Sequence, residues 1–312
     1  MKVLKFGGSS VGTPESIRNV KAIVEQAGRS VVVVVSALGG VTDALIAASR
    51  AAAAGDATWR RSMQDLEARH LDMVERVVPV GRREALSAVV TGHLKELESI
   101  LYGVSLIQDL TPKTADAIVA YGERLSSLIC AALIDGAHHY DARDIIRTRR
   151  QGGKHVVDFD ETNRRVRETF VRCDEVAVTG GFIASDADTG VTTNLGRGGS
   201  DYTAAIIAAA LDAEALEIWT DVDGFMTADP RVIPTAYTIR ELSYNEAMEL
   251  CNFGAKVVYP PTIYPVCLKN IPIYVKNTFN PAAAGSVIRR DAAADARPVR
   301  GISSVNETSM VT

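Results

Sequence analysis

The sequence predicts an α/β protein built on a largely parallel sheet with helices on both of its faces. Three observations carry that expectation: apolar runs rich in β-branched residues and too short for helices, amphipathic stretches of helical period between them, and glycine turns where one gives way to the next. With 312 residues and 47% hydrophobic side chains, the chain can bury one large core or two moderate ones.

Val3 to Phe6 reads as a strand and Gly7-Gly8-Ser9-Ser10 as a tight loop. Thr13 is placed to cap a helix that Pro14 opens; Ile17, Val20, Val24 and Ala27 then recur at helical spacing and Gly28 stops it. Val31 to Val35 is a continuous β-branched strand, so the chain opens with a right-handed βαβ unit. Gly39-Gly40 leads into an Ala-rich helix from about Thr42 to Ala54. Thr58 to Tyr102 has apolar residues three and four apart, broken near Pro79 and Gly81, and reads as a helical excursion without recognisable chemistry. One long helix is expected from Thr114, as cap, to Ile134, closed by Gly136. Glu175 to Thr179 reads as a buried strand ending at Gly180-Gly181, Asp201 to Leu211 as a helix, and Ala215 to Trp219 as a strand. Arg289 to Arg300 has the composition of a linker, and the β-compatible Gly301 to Thr312 reads either as a frayed tail or as entry into a second domain.

Composition excludes several classes. A net charge of −4 and a pI near 5.8 supply no general drive toward nucleic acid or an anionic membrane. No run approaches the roughly 18 apolar residues of a membrane span, and an apolar signal core is missing. Cys130, Cys173, Cys251 and Cys267 lie far apart without a CxxC unit, as expected of reduced thiols in a cytoplasmic protein. His138 and His139 are adjacent, which does not put two rings on one helical face, so no protein metal cage is expected. A GxxxxGK[ST] loop is missing, as are HRD and DFG, and Gly196 to Asp201 lacks the spacing of a dinucleotide fingerprint.

The glycine loops Gly7-Gly8, Gly39-Gly40, Gly180-Gly181 and Gly196-Arg197-Gly198-Gly199 stand at or near strand ends. In an open parallel sheet ligands bind beyond the carboxyl ends of strands, where glycine lets backbone N–H groups approach phosphate; singly, each such pair reads equally as a turn. Lys5, at the end of a strand that should be apolar, either points into that cleft to neutralise transferring phosphate or snorkels to solvent. Glu123 lies beside Gly122, whose missing side chain would permit close approach of a ligand, and by itself reads equally as a solvent-facing glutamate. Arg197 either offers a planar fork to a carboxylate or is a solvated loop arginine, Asp201 reads either as a site acid or as a plain helix N-terminal acid stabilised by the macrodipole, and Asp221 and Asp229 read also as turn residues.

Lys5 to Ser10 (KFGGSS), Thr193 to Tyr202 (TNLGRGGSDY), Trp219 to Gly224 (WTDVDG) and Phe253 to Pro260 (FGAKVVYP), in that order, resemble the aspartokinases of the amino acid kinase superfamily. The resemblance covers about Met1 to Ile288; Ser243 to Leu250 (SYNEAMEL) and Val299 to Ser303 (VRGIS) are most similar to the kinase part of bifunctional aspartokinase–homoserine dehydrogenases. It implies a three-layer αβα sandwich in two lobes, about 1–200 for the amino acid and about 201–290 for the nucleotide, with 291–312 a linker and the start of a regulatory ACT domain. Lys5, Asp201 and Lys256 match the family's catalytic positions; Ser36, Thr42, Glu123, Arg197, Gly198 and Ser200 match the substrate pocket, with Glu123 meeting the α-ammonium and Arg197 a carboxylate. Gly7, Gly8, Ser9, Thr220, Asp221, Met226, Arg231 and Lys256 match the phosphate and nucleotide side. Met226 stands where relatives often carry tyrosine and Tyr259 where many carry histidine.

The activity so implied is transfer of the γ-phosphoryl group of ATP to the β-carboxylate of L-aspartate, a step toward lysine, threonine and methionine. Magnesium is expected on the ATP phosphates, and a homodimer is expected from the family. The alternatives are kinases of glutamate, acetylglutamate or uridine monophosphate, and a module that senses amino acid or nucleotide without turnover.

Overall fold

The computed structural model describes residues 1–170, 174–255, 257–292 and 299–304. The chain opens with β1 (Lys2–Phe6), α1 (Pro14–Ala27) and β2 (Val31–Val35), the expected βαβ unit. Thr13 caps α1 in a capping box with Ser16, and Gly28 ends it at φ 85°, where glycine carries no steric penalty. Five helices follow: α2 (Val41–Ala53), α3 (Thr58–Val77), α4 (Val80–Ile107), α5 (Pro112–Val119) and α6 (Tyr121–Leu133). The break between α3 and α4 falls at Val78 and Pro79, as expected.

The single helix expected from Thr114 is two. Thr111 is the cap, its side chain accepting from the amide of Thr114 at 3.2 Å, because Pro112 holds its predecessor extended and suits the first helical position itself. The two meet at Ala120, whose backbone stays right-handed at φ −60° and ψ −21°, and α6 is the more buried of the pair.

Next come β3 (Ala137–Tyr140), α7 (Ala142–Ile145), β4 (Arg147–Gln151), β5 (Lys154–Val157), α8 (Phe159–Phe170), β6 (Val176–Gly180), β7 (Ile183–Asp186) and β8 (Thr192–Asn194). The remainder is α9 (Gly199–Ala210), β9 (Ala215–Thr220), β10 (Glu241–Leu242), α10 (Tyr244–Asn252), α11 (Tyr264–Leu268), β11 (Ile273–Asn277) and β12 (Ser286–Ile288), with a 3₁₀ turn at Pro260–Ile263.

Eight strands form one sheet in the order β10, β12, β11, β9, β1, β2, β6, β3, parallel at every pairing except β11 with β12. The side-chain period of two divides its strands between two cores. Val31, Val33 and Val35 join Leu4, Phe6 and helices α1 to α6, whereas Val32 and Val34 join Val3, Leu216, Ile218 and helices α7 to α11. The uninterrupted valine run is therefore the signature of a strand buried on both faces, and the molecule is three layers deep.

A second sheet, in the order β5, β4, β7, β8, was not among the expected elements. Its strands β4 and β5 are rich in Arg, Lys and His and largely exposed, so apolar periodicity does not reveal them. The signal was in their turn: Gly152 and Gly153 have φ of 58° and 81°, as a two-residue hairpin of the primed type demands.

Candidate active site

The carboxyl ends of β1, β2 and β6, the β6–β7 turn and the first turn of α9 enclose a cavity of about 340 Å³. These strands lie side by side near the middle of the sheet, and the chain leaves β1 and β2 to cover one face but reaches β9 through α9 on the other. Such a reversal opens a crevice at the strand ends. Lys5, Gly8, Ser36, Thr42, Glu123, Gly198, Ser200 and Asp201 all line the cavity.

Lys5 lies on the face of β1 that faces α9, in register with Val34 and Ile218. Its ammonium stands 2.7 Å from Asp201 Oδ1, and the two side chains are only 11% and 12% exposed. A charge this enclosed is tolerable only with its partner, and the α9 N-terminus adds favourable potential at the carboxylate. The helix start is brought there by glycine: a Cβ on Gly181 would fall 2.6 Å from Ser200 Cα, and one on Gly199 would fall 2.8 Å from the Phe182 ring.

Glu123 is 4% exposed. Its Oε1 accepts from the Ala37 amide at 3.1 Å, while Oε2 is buried without a hydrogen-bond partner among the described residues. Burial pushes its pKa up to about 7, and the Ala37 amide opposes that shift. Gly180, where a Cβ would lie 3.1 Å from that of Glu123, and Ser126, whose hydroxyl donates to the Ser36 carbonyl at 2.7 Å, lock the carboxyl against the ends of β2 and β6. Gly122 plays a different part from the expected one: an added Cβ would meet Ala37 Cβ at 2.7 Å and Val41 and Leu45 beyond it, so the glycine serves the packing of α6 on α2 rather than ligand approach.

Other expected residues fall outside the lining. Gly7 donates its amide to Trp219 O at 3.1 Å, tying the first loop to β9, and Ser9 follows Gly8 in the same turn. Arg197 is exposed, between Gly196 and Gly198 at φ of 71° and 70°, and its guanidinium lies 5.6 Å from the Tyr259 ring centroid. Thr220 donates to Asp221 at 3.1 Å at the end of β9, Met226 accepts weakly from Thr238 at 3.5 Å, and the exposed Arg231 forks onto Asp229 at 3.0 and 2.7 Å. These four lie at or after the carboxyl end of β9, and none of them lines the cavity. Lys256 lies outside the described residues, as does Cys173.

The sequence reading missed Asp43 and Phe182, which also line the cavity. Phe182 has φ of 65°, uncommon for an aromatic residue, and is held there by Thr203 and Leu195. It missed Ser10 as well, whose buried hydroxyl bonds Thr278 at 2.7 Å and joins the first loop to β11. No group of three metal-binding side chains occurs among the described residues, nor does any helix there have the length and apolarity to cross a membrane.

The model of the amino acid kinase family matches residues 1–277. A bifunctional aspartokinase/homoserine dehydrogenase from Haemophilus influenzae is 34% identical over 322 residues, covering 99% of this chain and 39% of that protein. Aspartokinase 1 from Arabidopsis thaliana is 33% identical over 300 residues, covering 92% of this chain and 52% of that protein. The chain thus spans about two-fifths to one-half of these relatives. The crystal structure of E. coli aspartokinase III in complex with aspartate and ADP superposes with a TM-score of 0.84 at 31% identity, over 93% of this chain and 64% of that one.

Proposed function

This chain belongs to the amino acid kinase family, and on that premise we propose that it transfers the γ-phosphoryl group of ATP to the β-carboxylate of L-aspartate, giving aspartyl phosphate and ADP. The observation that carries the reading is the cavity's polarity. At one side Lys5 and the glycine loops offer positive charge and backbone N–H groups; at the other Glu123 presents an unpartnered carboxylate oxygen.

A carboxylate is ionised at neutral pH and attacks phosphorus without a general base. The residues' work is to hold two anions in line and to neutralise the group in transit. In our reading Lys5, oriented by Asp201, stabilises the transferring phosphoryl oxygens beside the amides of Gly8 and Ser9, while Gly7, its own amide bonded to Trp219 O, anchors that loop on β9. Glu123 receives the α-ammonium, Ser36, Thr42, Gly198 and Ser200 shape the amino-acid pocket, and Arg197, swung from Tyr259, holds a carboxylate. Thr220, Asp221, Met226 and Arg231 form the nucleotide side, with Lys256 completing it. Magnesium bound with ATP would be held mainly by the phosphates and would neutralise their charge; Asp201, on the cavity wall beside Lys5, is the carboxylate that would face it. We extend the proposal to two lobes within about 1–290, to a homodimer, and to a regulatory domain of the ACT type after them, on the family resemblance.

Glu123 favours a substrate with a free ammonium over acetylglutamate or a nucleotide, which lack one. Hydroxylamine traps acyl phosphates as hydroxamates, so the chain incubated with Mg-ATP and aspartate should yield a hydroxamate, read by the colour of its ferric complex, and Lys5→Ala should lower its rate by roughly 10²-fold or more. Product with glutamate alone would refute the aspartate assignment, and absence of product with every acid would favour a sensing module.

A further inference from the structure

The strongest unassigned feature is a side chain of the helical excursion, which no motif marks. Arg69 projects from α3, a helix fixed in the core by Trp59, Met63, Leu66 and Met73. Its Nη2 donates to the carbonyl of Gly39 at 2.6 Å and to that of Gly12 at 3.3 Å. The two acceptors belong to different loops, one following β1 and the other β2. Those loops meet through their backbones: a Cβ on Gly39 would lie 3.1 Å from Gly8 O, one on Gly8 3.1 Å from Ala37 O, and one on Gly12 3.5 Å from the Gly39 nitrogen. Contact so close leaves no room for side chains to brace the loops against each other, and glycine-rich backbone loses more freedom on ordering than any other.

We propose that Arg69 is a positioning residue that joins the loops 7–12 and 36–40 into one rigid phosphate-facing unit. The inference rests on the reading of the cavity as a phosphoryl-transfer site. One guanidinium can receive two carbonyls because its donors are fixed in a plane, and its helix cannot move without disturbing the core. A trans peptide sets C=O and N–H in opposite directions, so the bond to Gly39 O also turns the amide of Gly40, a cavity residue, away from the guanidinium. Arg69 lies outside the lining and so acts on the reaction through Gly8, Gly39 and Gly40. A displacement of about 1 Å in such a site lowers turnover by about 10²-fold.

The test compares Arg69→Ala and Arg69→Lys with the unaltered chain by amide hydrogen exchange and by hydroxamate kinetics. Arg69→Ala should exchange faster in both loops while α3 keeps its protection, should lose at least about tenfold in kcat, and should recover part of that loss in guanidinium chloride but not in sodium chloride at equal ionic strength. Faster exchange confined to one loop, an unchanged kcat, or a loss that guanidinium does not relieve would overturn the proposal. Should Arg69→Ala fail to fold, Arg69→Lys, which keeps the charge but not the fork, is expected to show the same paired loosening in milder form; protection equal to the unaltered chain would count against it. If the unaltered chain forms no hydroxamate with any amino acid, the functional reading fails, while exchange still decides whether Arg69 couples the loops.

Discussion

Glu123 concentrates the electrostatics of the cavity in one carboxyl group. Its pKa near 7 in the folded chain, against an ordinary 4.5, means that between those values the folded chain keeps a proton that the unfolded chain has released. Stability should therefore fall as pH rises through that window and level off above it. Glu123→Gln should flatten the dependence, which urea unfolding at about pH 5 and about pH 7.5 would reveal; equal slopes in both proteins would contradict it. Binding runs the other way, because an ammonium needs the ionised acid. The kcat/KM for aspartate, which reports the free enzyme, should drop below about pH 7, and that inflection should vanish in Glu123→Gln. At this scale the residue types were legible in KFGGSS and TNLGRGGSDY, but the orphaned oxygen of Glu123 was not, since it depends on which amide of a distant loop reaches Oε1.

Turns and helix ends fix where each group stands, and their glycines differ in purpose. Gly28 ends α1 at φ 85° with open space around it, whereas Gly181 holds α9 against the β6–β7 turn by a contact that a Cβ would occupy. Gly28→Ala should cost about 1–3 kcal/mol of stability, because φ 85° with ψ −157° is a region only glycine enters freely, and leave turnover untouched. Gly181→Ala should cost about 1–3 kcal/mol through overpacking and also lower kcat, because Ser200 and Asp201 must shift with the helix start. Thermal melts beside steady-state kinetics separate the two, and equal turnover losses would show that Gly181 does not position the site. Both glycines are plain in the sequence as punctuation. Only the packing tells them apart, as it does for Gly122, whose neighbour proved to be α2.

Across the whole molecule, one sheet serves both cores, so damage to either layer should be felt throughout. Val33 and Val34 are adjacent and fully buried but face opposite layers. Each valine-to-alanine change should cost about 2 kcal/mol. Both tryptophans, Trp59 and Trp219, lie in the core that contains Val33. Val34→Ala should nonetheless shift the tryptophan-fluorescence unfolding midpoint as far as Val33→Ala does; an unmoved midpoint would mean that the layers unfold separately. The sequence by itself determined the parallel sheet, the βαβ opening, the buried valine strand and the glycine loops at strand ends, because period and turn chemistry are local properties of the chain. Tertiary structure alone decided that Lys5 meets Asp201 across 196 positions of sequence, that Glu123 takes the Ala37 amide at the cavity wall, and that Arg69 reaches two loops from a helix with no motif. Those contacts arise from how layers stack and strands are ordered, and a one-dimensional pattern carries no distance between residues that only folding brings together.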